Sequence, residues 1–174
     1  MSRERTLKPV PLADKVDDFI HWVGHGVAWS YAVLIAVIIA QVILRKGFQN
    51  GLIALEELQW HLYAIGVMFG MTYAQSYDSH VRVDLFFNKF SPKWQHIIEI
   101  LGILFLLLPF LWVIFYHSLD FVADSWRTNE RSAAPAGLPY RWIIKSVIPV
   151  SIGMLMLAAV NRIYREVALL IKGE

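Results

Sequence analysis

Apolar residues along this chain gather into four long runs separated by charged, glycine- or proline-marked breaks, the pattern of helices placed in hydrocarbon rather than on a soluble core. A bilayer core of about 30 Å takes roughly 20 helical residues. The first run covers about 22–44 and stops at Arg45-Lys46-Gly47. The second is strongly apolar only from Leu62 to Ala74 and reaches spanning length, about 57–77, by including Glu57 to Trp60 and Tyr77. The third, about 94–117, follows Ser91-Pro92, a serine suited to the N-cap with proline at the first helical position. The fourth covers about 142–164. The pattern predicts a single all-α membrane domain over residues 1–174, with four transmembrane helices and interfacial loop segments.

Composition agrees: 57% of the residues are apolar, 17% are charged, and mean hydropathy is +0.48. Trp22, Trp60, Tyr77, Trp94, Tyr116, Tyr140 and Trp142 border the runs, where an amphipathic ring prefers the headgroup layer. With no cysteine, disulfides, Cys-ligated metals and thiol nucleophiles are excluded. Arg3, Arg5, Lys8 and Lys15 precede the first run, which is longer than the apolar part of a secretory signal and has no Ala-x-Ala site; an uncleaved signal anchor is expected. Ten Lys and Arg fall on the side of the termini and of loop 78–93, against six on the side of loops 45–56 and 118–141. The bias predicts both termini in the cytoplasm, loop 78–93 cytoplasmic, and the other two loops periplasmic.

Small residues recur at four-residue spacing as Gly24, Ala28, Ala32, Ala36 and Ala40 on the first helix, and as Gly66, Gly70 and Ala74 on the second. Such ladders let helix backbones approach closely, so the two helices are expected to pack tightly, with each other or with another chain. The third run is crowded with Leu101, Leu104, Phe105, Leu106, Leu107, Leu108 and Leu111, suits lipid or a broad partner surface, and is expected to kink at Pro109.

Transport needs ionisable or strongly polar groups near the midplane, where they are costly and persist only in service of an ion or substrate. Between 29 and 44, 62 and 74, 100 and 116, and 146 and 160 there is no Asp, Glu, Lys, Arg or His. Paired Gly/Pro interruptions of the kind that build transporter sites are missing too. A self-sufficient pump, a small multidrug exporter or an enzyme is disfavoured, and an accessory subunit is expected. His61 and His117, near the same end of their spans, leave open a haem-bearing membrane anchor of the cytochrome b type, although interfacial histidines touching headgroups and water are the favoured explanation. His21 and His25 show no second-helix partner in the sequence.

The polar chemistry lies at the membrane surfaces. Asp78-Ser79-His80-Val81-Arg82-Val83-Asp84 interleaves charge with apolar residues after the second run. Glu56-Glu57 stand at the head of that helix, where carboxylates complement its dipole, and Lys145, one turn into the fourth span, is placed to snorkel to the same surface. The stretch from Asp120 to Pro139 is longer and more polar than a turn between neighbouring helices requires, which suits contact with a soluble partner.

Glu56-Glu57, His80-Val81-Arg82-Val83-Asp84, Ser91-Pro92 with Trp94, and Gly137-Leu138-Pro139 followed by Lys145 and Pro149 together resemble the small membrane subunit, DctQ-like, of tripartite ATP-independent periplasmic (TRAP) transporters. The resemblance runs from the first span to the last, and its His-x-Arg-x-Asp element is the most specific part. It implies a four-helix subunit of the bacterial inner membrane that braces the scaffold of a large multi-span permease subunit. That subunit would carry the sodium and substrate sites, so no cofactor is implied here. It also implies a periplasmic substrate-binding protein delivering an organic acid. On this resemblance His80, Arg82, Asp84, Glu56, Glu57, Lys145, Gly66 and Gly70 are expected to contact the large subunit, and Asp124, Trp126, Arg127 and Arg131 the binding protein.

Overall fold

The computed structural model describes residues 10–77 and 90–172. Helix α1 spans Pro11–Gly47, α2 Ile53–Ser76, α3 Pro92–Gly102, α4 Leu108–Arg127 and α5 Arg141–Lys172, and one π-helical turn, Ile103–Leu107, joins α3 to α4 in a continuous rod. Four rods thus stand where the four apolar runs are read. Pro11–Gly47, Lys93–Arg127 and Arg141–Ile171 are long and apolar enough to cross a membrane, by length and composition. The first three turns of α2 carry Glu56, Glu57, Gln59 and His61, which lower its hydropathy; it packs along both α1 and α5.

Local sequence explains the ends. Pro11 and Pro92 sit in first turns, where the missing N–H has no partner to lose. Ser91 occupies the N-cap of α3 in extended conformation, yet its side chain makes no cap bond; Gln95 Nε2 donates instead to Phe90 O at 3.0 Å. The kink expected at Pro109 takes the form of the π-helical turn just before it. A proline ring crowds the carbonyl four residues back, here Phe105, and the wider turn gives it room.

Side chains are distributed for an apolar solvent. Trp29, Phe105, Leu106 and Phe110 are among the many large apolar residues that face outwards. The leucine-rich rod divides, with Leu101, Leu104 and Leu106 exposed while Leu111 joins Ile152 and Leu155 in a core closed by Met68, Leu107, Phe115 and Met156. Helix α5 packs against every other rod and is the axis of the bundle.

The most extensive pairing is α1 with α2. Its interlock is glycine beneath tyrosine in both directions: the ring of Tyr73 covers Gly24, and the ring of Tyr31 covers Gly66. A Cβ on Gly24 would stand 2.5 Å from Tyr73 Cδ2, and one on Gly66 would overlap the outer edge of Tyr31. Ala28, Ala32, Ala36 and Ala40, expected on the same face as Gly24, are exposed instead. The reason is helical geometry. A four-residue step overshoots a full turn by about 40°, so over four steps the ladder winds away from α2. The inward stripe follows the true period through Ile20, Val27, Leu34 and Gln41.

His21 and His25 do have partners on the second helix. Ser76 Oγ donates to Tyr73 O at 2.8 Å, so at 3.0 Å it is His21 Nε2 that donates to Ser76 Oγ. The His21 ring stacks on Tyr77 with centroids 4.1 Å apart, and His25 meets Tyr73 edge to face at 5.9 Å.

Candidate interaction surfaces at the two ends of the bundle

At 1.5 Å per residue the 37 residues of α1 measure about 55 Å, well beyond a hydrocarbon core of about 30 Å. Its first turns and the last turns of α5 therefore extend past the apolar layer, and there a charged cluster closes the bundle. Arg165, 3% exposed, donates through Nη2 to Asp14 Oδ1 and Asp17 Oδ2, each at 2.7 Å. Asn161 Nδ2 donates to Ala13 O at 3.0 Å and to Asp17 Oδ1 at 2.9 Å. One turn along, Arg162 Nε stands 2.9 Å from both Glu99 Oε1 and Glu166 Oε1, and His96 Nδ1 meets the other oxygen of Glu166. Buried charges are tolerated when paired and hydrogen-bonded, and this set joins α1, α3 and α5.

The opposite end is a folded connection. Helix α4 runs on to Arg127, so only residues 128–140 of the expected long loop lie outside helix. Asn129, in left-handed conformation at φ 45°, ends α4 with the reciprocal bonds of a Schellman cap: Asn129 N to Trp126 O at 3.1 Å, and Glu130 N to Ser125 O at 3.0 Å. The chain then turns back over the head of α2. Glu57 accepts the backbone N–H of Leu138 through Oε2 at 2.6 Å and the hydroxyl of Ser132 through Oε1. Ser132 N donates to Leu138 O at 3.2 Å, closing the loop across itself. Gly137 is required beneath this bridge, because a Cβ there would strike Ser132 and stand 2.9 Å from Glu57 Oε1.

Glu130 anchors the same loop to α5. Its carboxylate pairs with Lys145, whose Nζ also lies 3.8 Å from the centroid of the Phe121 ring, and with Arg141 at 3.9 Å. The Lys145 ammonium, with Arg141 behind it, holds the Glu130 carboxyl below the usual carboxylate range. The connection between α1 and α2 is pinned alongside: the buried Gln41 accepts Leu52 N at 3.4 Å and donates to Glu56 Oε1 at 3.4 Å, with Arg45 3.7 Å from the same oxygen.

The structure gathers the residues expected to meet a soluble partner on this end. Trp126 stacks edge to face on Trp142 with centroids 4.4 Å apart and keeps 61% of its surface exposed. Asp124 and Arg127 form an exposed pair at 3.8 Å, and Arg131 is exposed on the loop beside them. The described residues expected to face a membrane partner divide between the loop end and the contact of α1 with α2. Glu57 and Lys145 make their polar contacts within this chain, Glu56 faces Gln41 and Arg45, Gly66 lies under Tyr31, and a Cβ on Gly70 would meet open space. Gly70 also lines a cavity of about 270 Å³ between α1 and α2, together with Gly24, His25, Ala28 and Phe69. His80, Arg82 and Asp84 lie outside the described residues.

Sequence reading missed the buried cluster because it counted Arg162 and Arg165 as topology signals. The available signal was spacing: Asn161 with Arg165, and Arg162 with Glu166, stand four residues apart on one helix face. Asp14, Asp17, Glu99 and His96 carried no comparable local sign, since their partners are far away in sequence.

Rods long and apolar enough to cross a membrane, with charged clusters at the two ends and the middles of the apolar runs free of ionisable side chains, define an integral membrane protein. The particular family is shown by comparison: the chain matches the model of the DctQ component of tripartite ATP-independent periplasmic transporters over residues 34–169, and it belongs to that family. It is also 26% identical over 144 residues to a Haemophilus influenzae protein named as a TRAP transporter small permease protein, covering 82% of this chain and 86% of that one.

Proposed function

We propose that this small permease subunit braces the scaffold of a large multi-span permease in the bacterial inner membrane, with both termini cytoplasmic, during sodium-coupled uptake of an organic acid. The observation that carries the reading is the DctQ family membership of a chain whose apolar runs hold no ionisable group in their middles. Sodium and substrate then bind in the large subunit, and this chain supplies rigid surface. Helix α5, packed on every other rod and tied to α1 and α3 by the charged cluster, supports that role by stiffening the bundle.

In this reading His80, Arg82 and Asp84, with Glu56 and the open face at Gly70, meet the large subunit. The folded end bearing Asp124, Trp126, Arg127 and Arg131 meets the periplasmic substrate-binding protein. The deciding experiment co-expresses this chain with its large permease partner and tags one of them. Co-purification of the pair, reduced by Arg82→Ala with Asp84→Ala, is expected; full recovery of the complex after both substitutions removes those residues from the interface. Substrate uptake by proteoliposomes containing this chain alone would overturn the accessory role itself.

A further inference from the structure

We propose that Glu57 is a positioning residue for the binding-protein dock: it fixes the 128–140 loop so that Arg131, on the loop, and Trp126 and Arg127, at the end of α4, present one preformed surface. The inference rests on the docking role proposed above for that end of the bundle. Glu57 belongs to α2, and the loop joins α4 to α5, so its bonds to Leu138, 81 residues on, and to Ser132 tie a connection to a rod that is not its neighbour in sequence.

Three features show that the loop is held in a definite shape rather than left slack. Both oxygens of Glu57 are used, one on a backbone N–H and one on a hydroxyl that in turn accepts Ala134 N at 3.1 Å. Gly137 leaves no room for a side chain between Ser132 and the carboxylate. Ala136 and Tyr140 adopt left-handed backbone, at φ 62° and 59°, which ordinary residues keep only where surrounding contacts over-determine it. Glu130, bonded to Lys145, fixes the start of the same loop, and Arg131 lies between these two anchors. A preformed surface loses less conformational entropy on binding than a loop that must first be ordered.

The test uses the complex of small and large subunits in nanodiscs, titrated with the substrate-binding protein of the same transporter by biolayer interferometry. Glu57→Ala is expected to raise the dissociation constant roughly tenfold, the loss of one charge-assisted clamp, while the melting temperature of the complex stays within a few degrees. Hydrogen exchange at the Leu138 amide should speed up in the same variant, and Glu57→Gln, which keeps one carbonyl acceptor, should recover part of the affinity. Trp126→Ala with Arg127→Ala serves as the direct dock variant. If that variant weakens binding and Glu57→Ala does not, the positioning role is overturned and the dock stands. If neither weakens binding, the docking role falls and this inference with it. Should the Glu57→Ala complex fail to assemble, Ser132→Ala, which leaves the Leu138 bond in place, carries the test with an expected weakening of about threefold; an unchanged constant overturns the proposal.

Discussion

Arg165 Nη2 and Asp17 Oδ2 lie 2.7 Å apart, joining the last turns of α5 to the first turns of α1 across 148 residues of chain. The guanidinium is 3% exposed and the Asp17 side chain 13%, so the pair is shielded from water although it lies past the apolar span. Coulombic attraction alone does not recover the desolvation of such a pair. Asp14 and Asn161, hydrogen-bonded to the same two groups, supply the additional partners that make the arrangement favourable.

Removing the carboxylates takes two close charged partners from a buried guanidinium. Asp14→Ala with Asp17→Ala is expected to destabilise the solubilised protein by about 3 kcal/mol in denaturant unfolding. The exposed pair of Asp124 with Arg127 provides the contrast, since solvent screens it; Asp124→Ala should change stability by about 0.5 kcal/mol or less. Equal losses in the two variants would show that burial does not set the strength of these pairs.

The two glycine–tyrosine contacts between α1 and α2 differ in which part of the ring is struck. At Gly66 the nearest atoms are the far edge and hydroxyl of Tyr31, a side chain free to swing outwards, whereas at Gly24 they are in the body of Tyr73. Gly66→Ala should therefore cost less than about 1 kcal/mol, and Gly24→Ala about 1–3 kcal/mol from overpacking. A double-mutant cycle of Gly24→Ala with Tyr73→Ala checks the cause, because the cost should largely vanish when the ring is absent.

Glu130 gives the folded connection a pH dependence with a defined sign. Its carboxyl is held below the usual carboxylate range when folded, chiefly by Lys145, so between that value and the ordinary one the unfolded state binds more protons. The stabilisation is complete above the ordinary carboxylate range and disappears as pH falls through the folded value. Loop hydrogen exchange followed from pH 6 down to about pH 3 should show protection falling in the wild type. The pH-dependent part should be largely lost in Glu130→Gln.

Ala136 holds a left-handed conformation at φ 62°, which costs a residue bearing a Cβ about 1–2 kcal/mol and glycine much less. Ala136→Gly is expected to stabilise the loop by up to about 1 kcal/mol after the greater flexibility of glycine in the unfolded chain is deducted. Thermal unfolding of the two proteins side by side measures it.

The sequence by itself determined that this is a helical membrane protein, because hydropathy along the backbone is a local property: a run from Trp22 to Leu44 must be helical and must avoid water wherever the rest of the chain goes. It determined the family too, through short motifs that survive without knowledge of their contacts. It brought Glu57, Gly137-Leu138 and Lys145 to notice singly, but only tertiary structure decided that they belong to one folded end, since the bonds from Glu57 to Leu138 and from Lys145 to Glu130 join separate elements. The alanine ladder does not stay against α2 for a geometric reason, as small angular offsets per step accumulate along a long helix. The charged cluster shows in the sequence only as four-residue spacing on α5: Asp17 and Arg165 are ordinary surface residues in any local window, and become a shielded pair only when the two ends of the described chain are brought together.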